Sequence, residues 1–542
     1  MVLLTRSNSH WRRPSSLLAA IVLTALAVGC EGAPQSAPSG APNPTALESD
    51  ELQTLNEAVE PEAPLPDDAT QPPDFNTEEY DRIYENPFMA VVQEPLSTFS
   101  IDVDTASYAN TRRFLTENRL PPPDAVRLEE LINYFTYDYP QPTGDEPFSI
   151  TTELAVAPWN PEHELLLVGL QGQQLETEVL PPNNLVFLLD VSGSMDEPNK
   201  LPLLKAAIKL LAEQMDGDDR IAIVVYAGAA GLVLEPTPGS ETSQILAAID
   251  ALEAGGSTAG GAGIELAYQV AKENFLPEGN NRVILATDGD FNVGPSSDGE
   301  LVRLIEGKRD DGIFLTVLGL GTGNYQDAKM EQLANKGNGN YAYLDSLLEA
   351  KKALVTEMGG TLVAIAKDVK LQIEFNPAEV KAYRLLGYEN RLLEAQDFND
   401  DQKDAGELGA GHSVTALYEL IPADSAAPVP GVDPLQYQES TVLPSDDLLT
   451  LKLRYKQPDG DTSQLVQQAL QRQDIWQSTP SENMQFASAV AEFGLLLRNS
   501  EYKADADYEA VFIRAAQSRG ADFYGYRAEF LDLVQQADLL SR

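Results

Sequence analysis

The chain has 542 residues, of which 43% are hydrophobic, so it is long enough to form several domains with separate cores. Its formal net charge at pH 7 is −47, from 84 acidic and 37 basic residues. A charge of this size and sign excludes nucleic acid and a bare anionic membrane surface as partners, because both would repel the chain. The same charge favours the binding of cations.

The N-terminus has the pattern of an export signal. Three arginines precede an apolar run from Leu17 to Gly29, which is too short to span a bilayer comfortably. The run ends in "AVGC", which resembles the bacterial lipobox, and its Cys30 is the only cysteine of the chain. The resemblance implies that residues 1–29 are a lipoprotein signal peptide and that Cys30 is lipidated. We therefore predict an exported protein, anchored by lipid to a bacterial membrane in the periplasm or at the cell surface.

Residues 30–79 have the composition of a disordered tether. From residue 31 to residue 79 there are 12 acidic residues, nine prolines and no lysine or arginine. A segment without apolar periodicity and with one sign of charge does not form a core and repels itself. We predict that it holds the folded part of the protein away from the membrane.

The region 80–183 reads as an α+β flanking region. The segment "STFSIDVD" alternates Phe99, Ile101 and Val103 in the manner of a half-buried strand, and Asp104 is placed to cap a following helix. The segment "PPDAVRLEELINYF" predicts a second helix, and "FSITTELAVAP" and "ELLLVGLQG" predict two strands.

Residues 184–358 alternate apolar strands with amphipathic helices. Continuous apolar strands between helices indicate a parallel sheet that is covered on both faces, which is a doubly wound α/β fold. The segment "GLVLEPT" follows "RIAIVVYAG" too closely for a crossover, so it should pair antiparallel at an edge. If the strand order is 3-2-1-4-5-6, the first and fourth strands of this domain are neighbours.

The remainder is predicted as a C-terminal β region, 359–460, and a C-terminal helical region, 461–542, that begins with "QLVQQALQRQ". Strands lie on both sides of the α/β domain in sequence. We therefore predict that the α/β domain is inserted between flanking regions that form a β-sandwich-like structure and a helical part.

Oxygen-bearing side chains are predicted to meet at the carboxyl ends of the parallel strands. Asp190 ends the first strand and is followed by Ser192 and Ser194, Asp288 ends the fourth strand, and Thr258 lies in a glycine-rich loop. All five offer hard oxygen donors, which suit Mg²⁺, Ca²⁺ or Mn²⁺ rather than zinc or copper. The sequence therefore predicts a site for one divalent cation, with Mg²⁺ as the first choice.

The motif "DVSGSM", together with Thr258 and Asp288, resembles the metal-ion-dependent adhesion site of the von Willebrand factor type A domain. The resemblance covers residues 184–358 and implies a Rossmann-like fold. It implies that Ser192, Ser194 and Thr258 bind the metal directly, that Asp190 and Asp288 act directly or through water, and that an acidic side chain of a protein partner completes the coordination. The flanks resemble those of bacterial lipoproteins that carry this domain.

The same residues also allow a second function. A metal-assisted hydrolase using the same residues is the alternative function, but an enzyme needs a general base, and the two histidines beyond the signal, His163 and His412, lie outside the α/β domain. We predict that the protein is not an enzyme. Asp102 and Asp104 look like a ligand pair, but we interpret them as strand-end capping residues, and we interpret Asp290 and Asn292 as turn residues.

Overall fold

The computed structural model of the protein describes residues 78–175, 180–227, 229–256, 261–289, 298–357, 363–429, 436 and 442–542. The predicted signal peptide, Cys30, residues 31–77 of the predicted tether, Thr258, Asp290 and Asn292 lie outside the described residues. The last two residues of the predicted tether, Glu78 and Glu79, are described and hydrogen-bond to Gly323 and Tyr325.

The strands of the described residues belong to three sheets. In chain order they are β1 Met89–Ala90, β2 Leu96–Ser100, β3 Phe148–Val156, β4 Glu164–Gly172, β5 Asn183–Asp190, β6 Arg220–Ala227, β7 Ala229–Pro238, β8 Asn280–Thr287, β9 Phe314–Leu320, β10 Tyr341–Leu344, β11 Ala364–Phe375, β12 Val380–Leu386, β13 Leu408–Gly409, β14 Ser413–Pro422, β15 Asp447–Lys456 and β16 Gln464–Gln471.

The α-helices lie before, between and after these strands. They are α1 Ala106–Thr116, α2 Leu128–Asn133, α3 Leu201–Ala212, α4 Thr242–Asp250, α5 Gly261–Glu273, α6 Asp298–Asp310, α7 Asp327–Lys336, α8 Leu347–Lys351, α9 Arg472–Ile475, α10 Glu482–Leu497, α11 Tyr508–Gln517 and α12 Tyr526–Ser541.

The central sheet has the order β10-β9-β8-β5-β6-β7. Its strands are parallel except β7, which pairs antiparallel with β6 at the edge. Because β5 is the first strand of this domain and β8 the fourth, the order is 3-2-1-4-5-6, with the switch point between β5 and β8. The doubly wound α/β fold is confirmed, and its two faces are covered by separate buried apolar clusters.

The flanking regions on either side of the α/β domain combine into a β-sandwich. One sheet has the order β1-β12-β14-β4-β3, and the other has the order β13-β11-β15-β16 with β2 paired to β11. Leu166 and Tyr418 of the first sheet and Leu371 and Leu451 of the second belong to one buried apolar cluster between the sheets. The fold therefore has the α/β domain inserted into a sandwich built from both ends of the chain, as predicted.

The C-terminal helices cover the outer face of the first sandwich sheet. Helix α10 begins at Ser481, whose hydroxyl accepts a hydrogen bond from the Met484 amide. Its apolar side chains pack with those of α2, α11 and α12 and with Leu165 and Leu417 of the sheet. No helix among the described residues is long and apolar enough to cross a bilayer.

Two local predictions were wrong. The segment "QLVQQALQRQ" was expected to begin the helical region, but residues 464–471 form strand β16, which pairs antiparallel with β15 along its length. Glutamine and leucine favour helix weakly, and pairing with a neighbouring strand outweighs that preference. Asp104 does not cap α1. The N-cap residue of this helix is Thr105, which makes no side-chain cap hydrogen bond. The Asp104 carboxylate instead accepts a hydrogen bond from the Tyr341 amide.

Candidate metal site

Asp190 and Asp288 lie at the same edge of the central sheet. Residues Leu185 to Leu189 of β5 are fully buried, so the strand runs through the core and reaches the sheet edge at Asp190. Strand β8 pairs with β5 in parallel up to Ala286, and Asp288 follows its end. Parallel neighbours end on the same side of a sheet, and this pair flanks the switch point where doubly wound folds bind ligands.

Asp190 is fully buried, and one of its carboxylate oxygens has no partner. Oδ1 accepts a hydrogen bond from the Ser192 amide at 2.8 Å, whereas Oδ2 has no hydrogen-bond partner among the described residues. Burial raises the pKa of the Asp190 carboxyl and the charge of Asp288 raises it further, whereas the Ser192 amide and hydroxyl and the Tyr226 hydroxyl lower it. A buried carboxylate with an unpaired oxygen is costly unless a cation or a proton compensates it.

The two serines extend this site toward the surface. Their hydroxyl oxygens lie 3.0 Å apart, with Ser192 buried and Ser194 exposed. Both side chains follow the strand end in a tight turn, where Gly193 begins a short 3₁₀ helix. The serines therefore place two hydroxyl oxygens beside the carboxylate of Asp190, and the outer hydroxyl faces solvent.

Asp288 is also fully buried but is compensated by a lysine. Lys200 Nζ lies 3.1 Å from Asp288 Oδ2, and Asn324 Nδ2 lies 3.5 Å from Oδ1. Two glycines permit this arrangement. Gly289, at φ +114°, leaves no room for a β-carbon against the backbone of Asn324, and Gly321, at φ +72°, lies directly under the Lys200 side chain.

The glycine-rich loop that contains Thr258 approaches the same turn. The Gly255 amide donates to the Val191 carbonyl at 2.8 Å, and the Gly193 amide donates to the Gly256 carbonyl at 3.2 Å. These bonds join the loop to the Asp190 turn. Thr258 itself lies outside the described residues, so its place as the fifth oxygen donor stays a prediction.

The first described residues of the chain cross over the loop beside the site. The Glu78 carboxylate accepts a hydrogen bond from the Gly323 amide at 3.0 Å and pairs with Arg113 at 2.9 Å. The backbone of Glu79 forms a parallel bridge with Gln326. We call residues 78 and 79 the N-terminal strap, since they bind the loop that also carries Asn324.

The residues present fit a hard divalent cation. The described part of the site offers two buried carboxylates and two hydroxyls, which are the ligand types that Mg²⁺ and Ca²⁺ prefer. The unpaired Asp190 Oδ2 is the specific observation that favours a cation there. Sequence reasoning missed Lys200, which is only 3% exposed, because a lysine at the start of an amphipathic helix is usually a surface residue.

Comparison with known families identifies the class of protein. The von Willebrand factor type A domain family matches residues 185–290, which include Asp190 and Asp288. A von Willebrand factor family matches residues 74–167, and the family described as uncharacterized protein YfbK, C-terminal, matches residues 360–540. The fold and the site thus define a protein with a von Willebrand factor type A domain, a type of domain that indicates a protein-interaction module and often binds a divalent metal.

The chain belongs to the family of the uncharacterized protein YfbK of Escherichia coli (strain K12). The two are 46% identical over 473 residues, which cover 85% of this chain and 81% of that protein. The uncharacterized protein sll0103 of Synechocystis is 30% identical over 172 residues, which cover 31% of this chain and 39% of that protein. Among solved structures, a von Willebrand factor type A protein from Catenulispora acidiphila covers 75% of this chain and 98% of its own, at 16% identity and a TM-score of 0.41.

Proposed function

We propose that this protein is a metal-dependent protein-binding module of the bacterial cell envelope, held to a membrane by lipid on Cys30. In this proposal Asp190, Ser192, Ser194, Thr258 and Asp288 hold one Mg²⁺. The observation that carries it is the unpaired, buried Oδ2 of Asp190 beside the Ser192 and Ser194 hydroxyls.

The metal would supply electrostatic attraction for an acidic side chain of the partner. The exposed Ser194 hydroxyl marks the side from which that group would approach. Buried Asp190 would orient the serine turn through its bond to the Ser192 amide, and Asp288 would stay charge-paired with Lys200. With one carboxylate already neutralised by a lysine, the bound cation would keep more of its positive charge for the incoming acid.

We propose no catalytic role. His163 lies in the sandwich, where its Nδ1 is 2.6 Å from Glu419 Oε1, and His412 precedes β14. Neither belongs to the sheet that carries Asp190, so the general base of a hydrolase would have to come from the metal-site carboxylates themselves.

The first prediction tests the metal. Asp190→Ala removes the buried carboxylate, so Mg²⁺ affinity measured by titration calorimetry should fall by roughly 10- to 100-fold or more. Asp196→Ala is the matched control, because Asp196 is an exposed acid in the same turn and should leave the affinity unchanged. Partner capture from an envelope extract should be lost with EDTA and in Asp190→Ala. Equal Mg²⁺ affinities in Asp190→Ala and wild type would refute the site, and EDTA-resistant capture would refute the binding mechanism.

A further inference from the structure

A second group of buried carboxylates lies where three parts of the fold meet. Asp102 and Asp104 follow β2 of the N-terminal region, and Glu331 lies on α7 of the α/β domain. One oxygen of each lies within 4.8 Å of the others, and the three residues are 5%, 3% and 6% exposed. We call these three residues the junction cluster. None of them belongs to the site at Asp190.

The junction cluster has more carboxyl groups than arginine partners among the described residues. Nη2 of Arg391, in the loop between β12 and β13, lies 3.0 Å from Asp102, 3.3 Å from Asp104 and 3.6 Å from Glu331. Glu331 also pairs with Arg127 at 2.8 Å.

Arg127 is itself shared with two further buried carboxylates, Asp327 and Glu130. Five carboxylates therefore face two guanidinium groups among the described residues. Burial and the neighbouring carboxyl groups raise the pKa of Asp104, Glu130 and Glu331, so the excess of carboxyl groups is relieved either by protons or by another cation.

One oxygen of the cluster lacks any donor. Asp102 Oδ1 accepts from the Asp104 amide and from Arg391, and both oxygens of Asp104 have donors in Tyr341 and Arg391. Glu331 accepts from Asn390 at one oxygen and from Arg127 at the other. Asp102 Oδ2, by contrast, is buried with no hydrogen-bond partner among the described residues. It is the oxygen at which an additional cation would be bound.

The cluster is accessible through a cavity of about 990 Å³ that all three carboxylate residues help to line. The lining is mostly polar and includes Asn335, and it also includes the basic residues Arg309 and Lys336, which pair with the acids Asp404 and Glu306. A cation in this cavity would therefore share it with other charged side chains and would have to be held by the junction cluster itself.

We propose that the junction cluster binds a divalent cation, and that Ca²⁺ fits it best. Ca²⁺ accepts six to eight oxygen ligands in irregular geometry, whereas Mg²⁺ demands a near-ideal octahedron. Carboxylates delivered by separate parts of the fold, with a guanidinium beside them, suit the irregular arrangement. The ion would tie the N-terminal region to α7, and through Arg391 to the C-terminal β region. This inference does not depend on the function proposed for the site at Asp190.

The test separates the two sites by working in an Asp190→Ala background. The full chain is stripped with chelator and titrated with CaCl₂ and, separately, MgCl₂ in a calorimeter. We expect one Ca²⁺ per chain and a higher melting temperature with Ca²⁺. Adding Asp102→Asn replaces the unpaired oxygen by an amide nitrogen, so it should weaken Ca²⁺ binding by at least about tenfold and remove the thermal shift. Asp81→Asn is the matched control, because Asp81 lines the same cavity as an exposed acid.

Two results of these titrations would contradict a Ca²⁺ site at the junction cluster. Absence of Ca²⁺ binding in the Asp190→Ala background would overturn it and would show that the carboxylates hold a proton or rely on the arginines alone. Ca²⁺ binding that survives both Asp102→Asn and Glu331→Gln would overturn it by placing the ion elsewhere. If Asp102→Asn fails to fold, Glu331→Gln provides the same comparison, since it also removes one ligand charge while keeping its size.

Discussion

The effect of Lys200 on the candidate metal site depends on whether a metal is bound there. Its ammonium group is buried, lies 3.1 Å from Asp288 and lies 3.5 Å from the exposed Glu197. A buried carboxylate that loses its only cationic partner is strongly destabilised. The lysine therefore stabilises Asp288 in the absence of metal, and its positive charge would oppose an ion bound at the proposed site.

The second prediction concerns this dual effect. Lys200→Met should lower the free energy of unfolding of the metal-free protein by about 3–5 kcal/mol, because Asp288 stays buried without a cationic partner and keeps only the long contact to Asn324. Saturating Mg²⁺ should recover most of that loss, and Mg²⁺ should bind the variant more tightly than wild type. Urea unfolding with Mg²⁺ and with EDTA measures both effects. Lys209→Met serves as control, because Lys209 is a half-exposed lysine of the helix that follows Lys200 and pairs with the exposed Asp250. An equal loss with and without Mg²⁺ would show that Lys200 acts through packing alone.

The residues of the sequence motif could be predicted, but a residue that reaches the site only through tertiary packing could not. Asp190, Ser192, Ser194 and Asp288 lie at the sheet edge that strand periodicity and topology indicated. Lys200 was missed because its burial depends on Gly321, about 120 residues further along the chain, which leaves room for its side chain. The hydrophobic pattern of a single helix cannot reveal a contact with a residue so far along the chain.

At the level of elements, the short helix α2 carries a carboxyl that is poorly compensated. Glu129 is fully buried, and its Oε2 has no hydrogen-bond partner among the described residues. Burial raises the pKa of Glu129 to about 7, the charges of Glu389 and Asp102 add to the rise, and Arg498 opposes it. An ordinary glutamate in the unfolded chain ionises near 4.5.

The third prediction follows from that raised pKa. Between pH 4.5 and 7 the folded protein keeps the Glu129 proton and the unfolded chain loses it, so this group lowers stability as the pH rises through that window. Glu129→Gln should therefore gain stability over wild type as pH rises, by at most about 3 kcal/mol at pH 8, and should show little gain at pH 4.5. Chemical unfolding across this range measures the difference. Exposed Glu509→Gln should show no such trend, and a gain independent of pH would contradict the assignment of the effect to ionisation.

Strands and helices with a clear hydrophobic periodicity could be predicted from the sequence, whereas those without one could not. The five buried residues before Asp190 and the strand-helix alternation around them identified the central sheet and its antiparallel edge correctly. Strand β16 was mistaken for a helix because most of its side chains are exposed and its glutamines fit either structure. Its conformation is determined by its hydrogen bonds to β15, which are a property of the assembled sheet.

At the scale of the whole molecule, the β-sandwich needs the strands that precede the α/β domain as well as those that follow it. Strand β4 lies between β3 and β14, and β2 pairs with β11, so each sheet combines strands from before and after the α/β domain. Leu166 and Val168 of β4 lie in the core between the sheets and are at most 2% exposed. Without the C-terminal strands, these apolar faces and strand edges would be exposed to solvent.

The fourth prediction is that a chain ending at residue 357 loses the fold of its N-terminal region. It should aggregate or melt without a cooperative transition, as measured by size exclusion and circular dichroism. Residues 360–542 expressed in the same cell should restore solubility and purify with it, because they provide β11 and β14. A truncated chain that is monomeric and melts cooperatively alone would show that the N-terminal strands do not need their C-terminal partners.

The N-terminal strap has a mechanical consequence. Glu78 and Glu79 are bound to Gly323 and Gln326, in the loop whose Asn324 contacts Asp288. Tension applied to the chain upstream of these residues would be borne first by a short parallel bridge and an ion pair to Arg113, and only afterwards by the strands of the sandwich. Among the described residues, the loop beside the candidate metal site would therefore be the first to bear such a force. A force on the N-terminal part of the chain would thus act close to the place where the partner is proposed to bind.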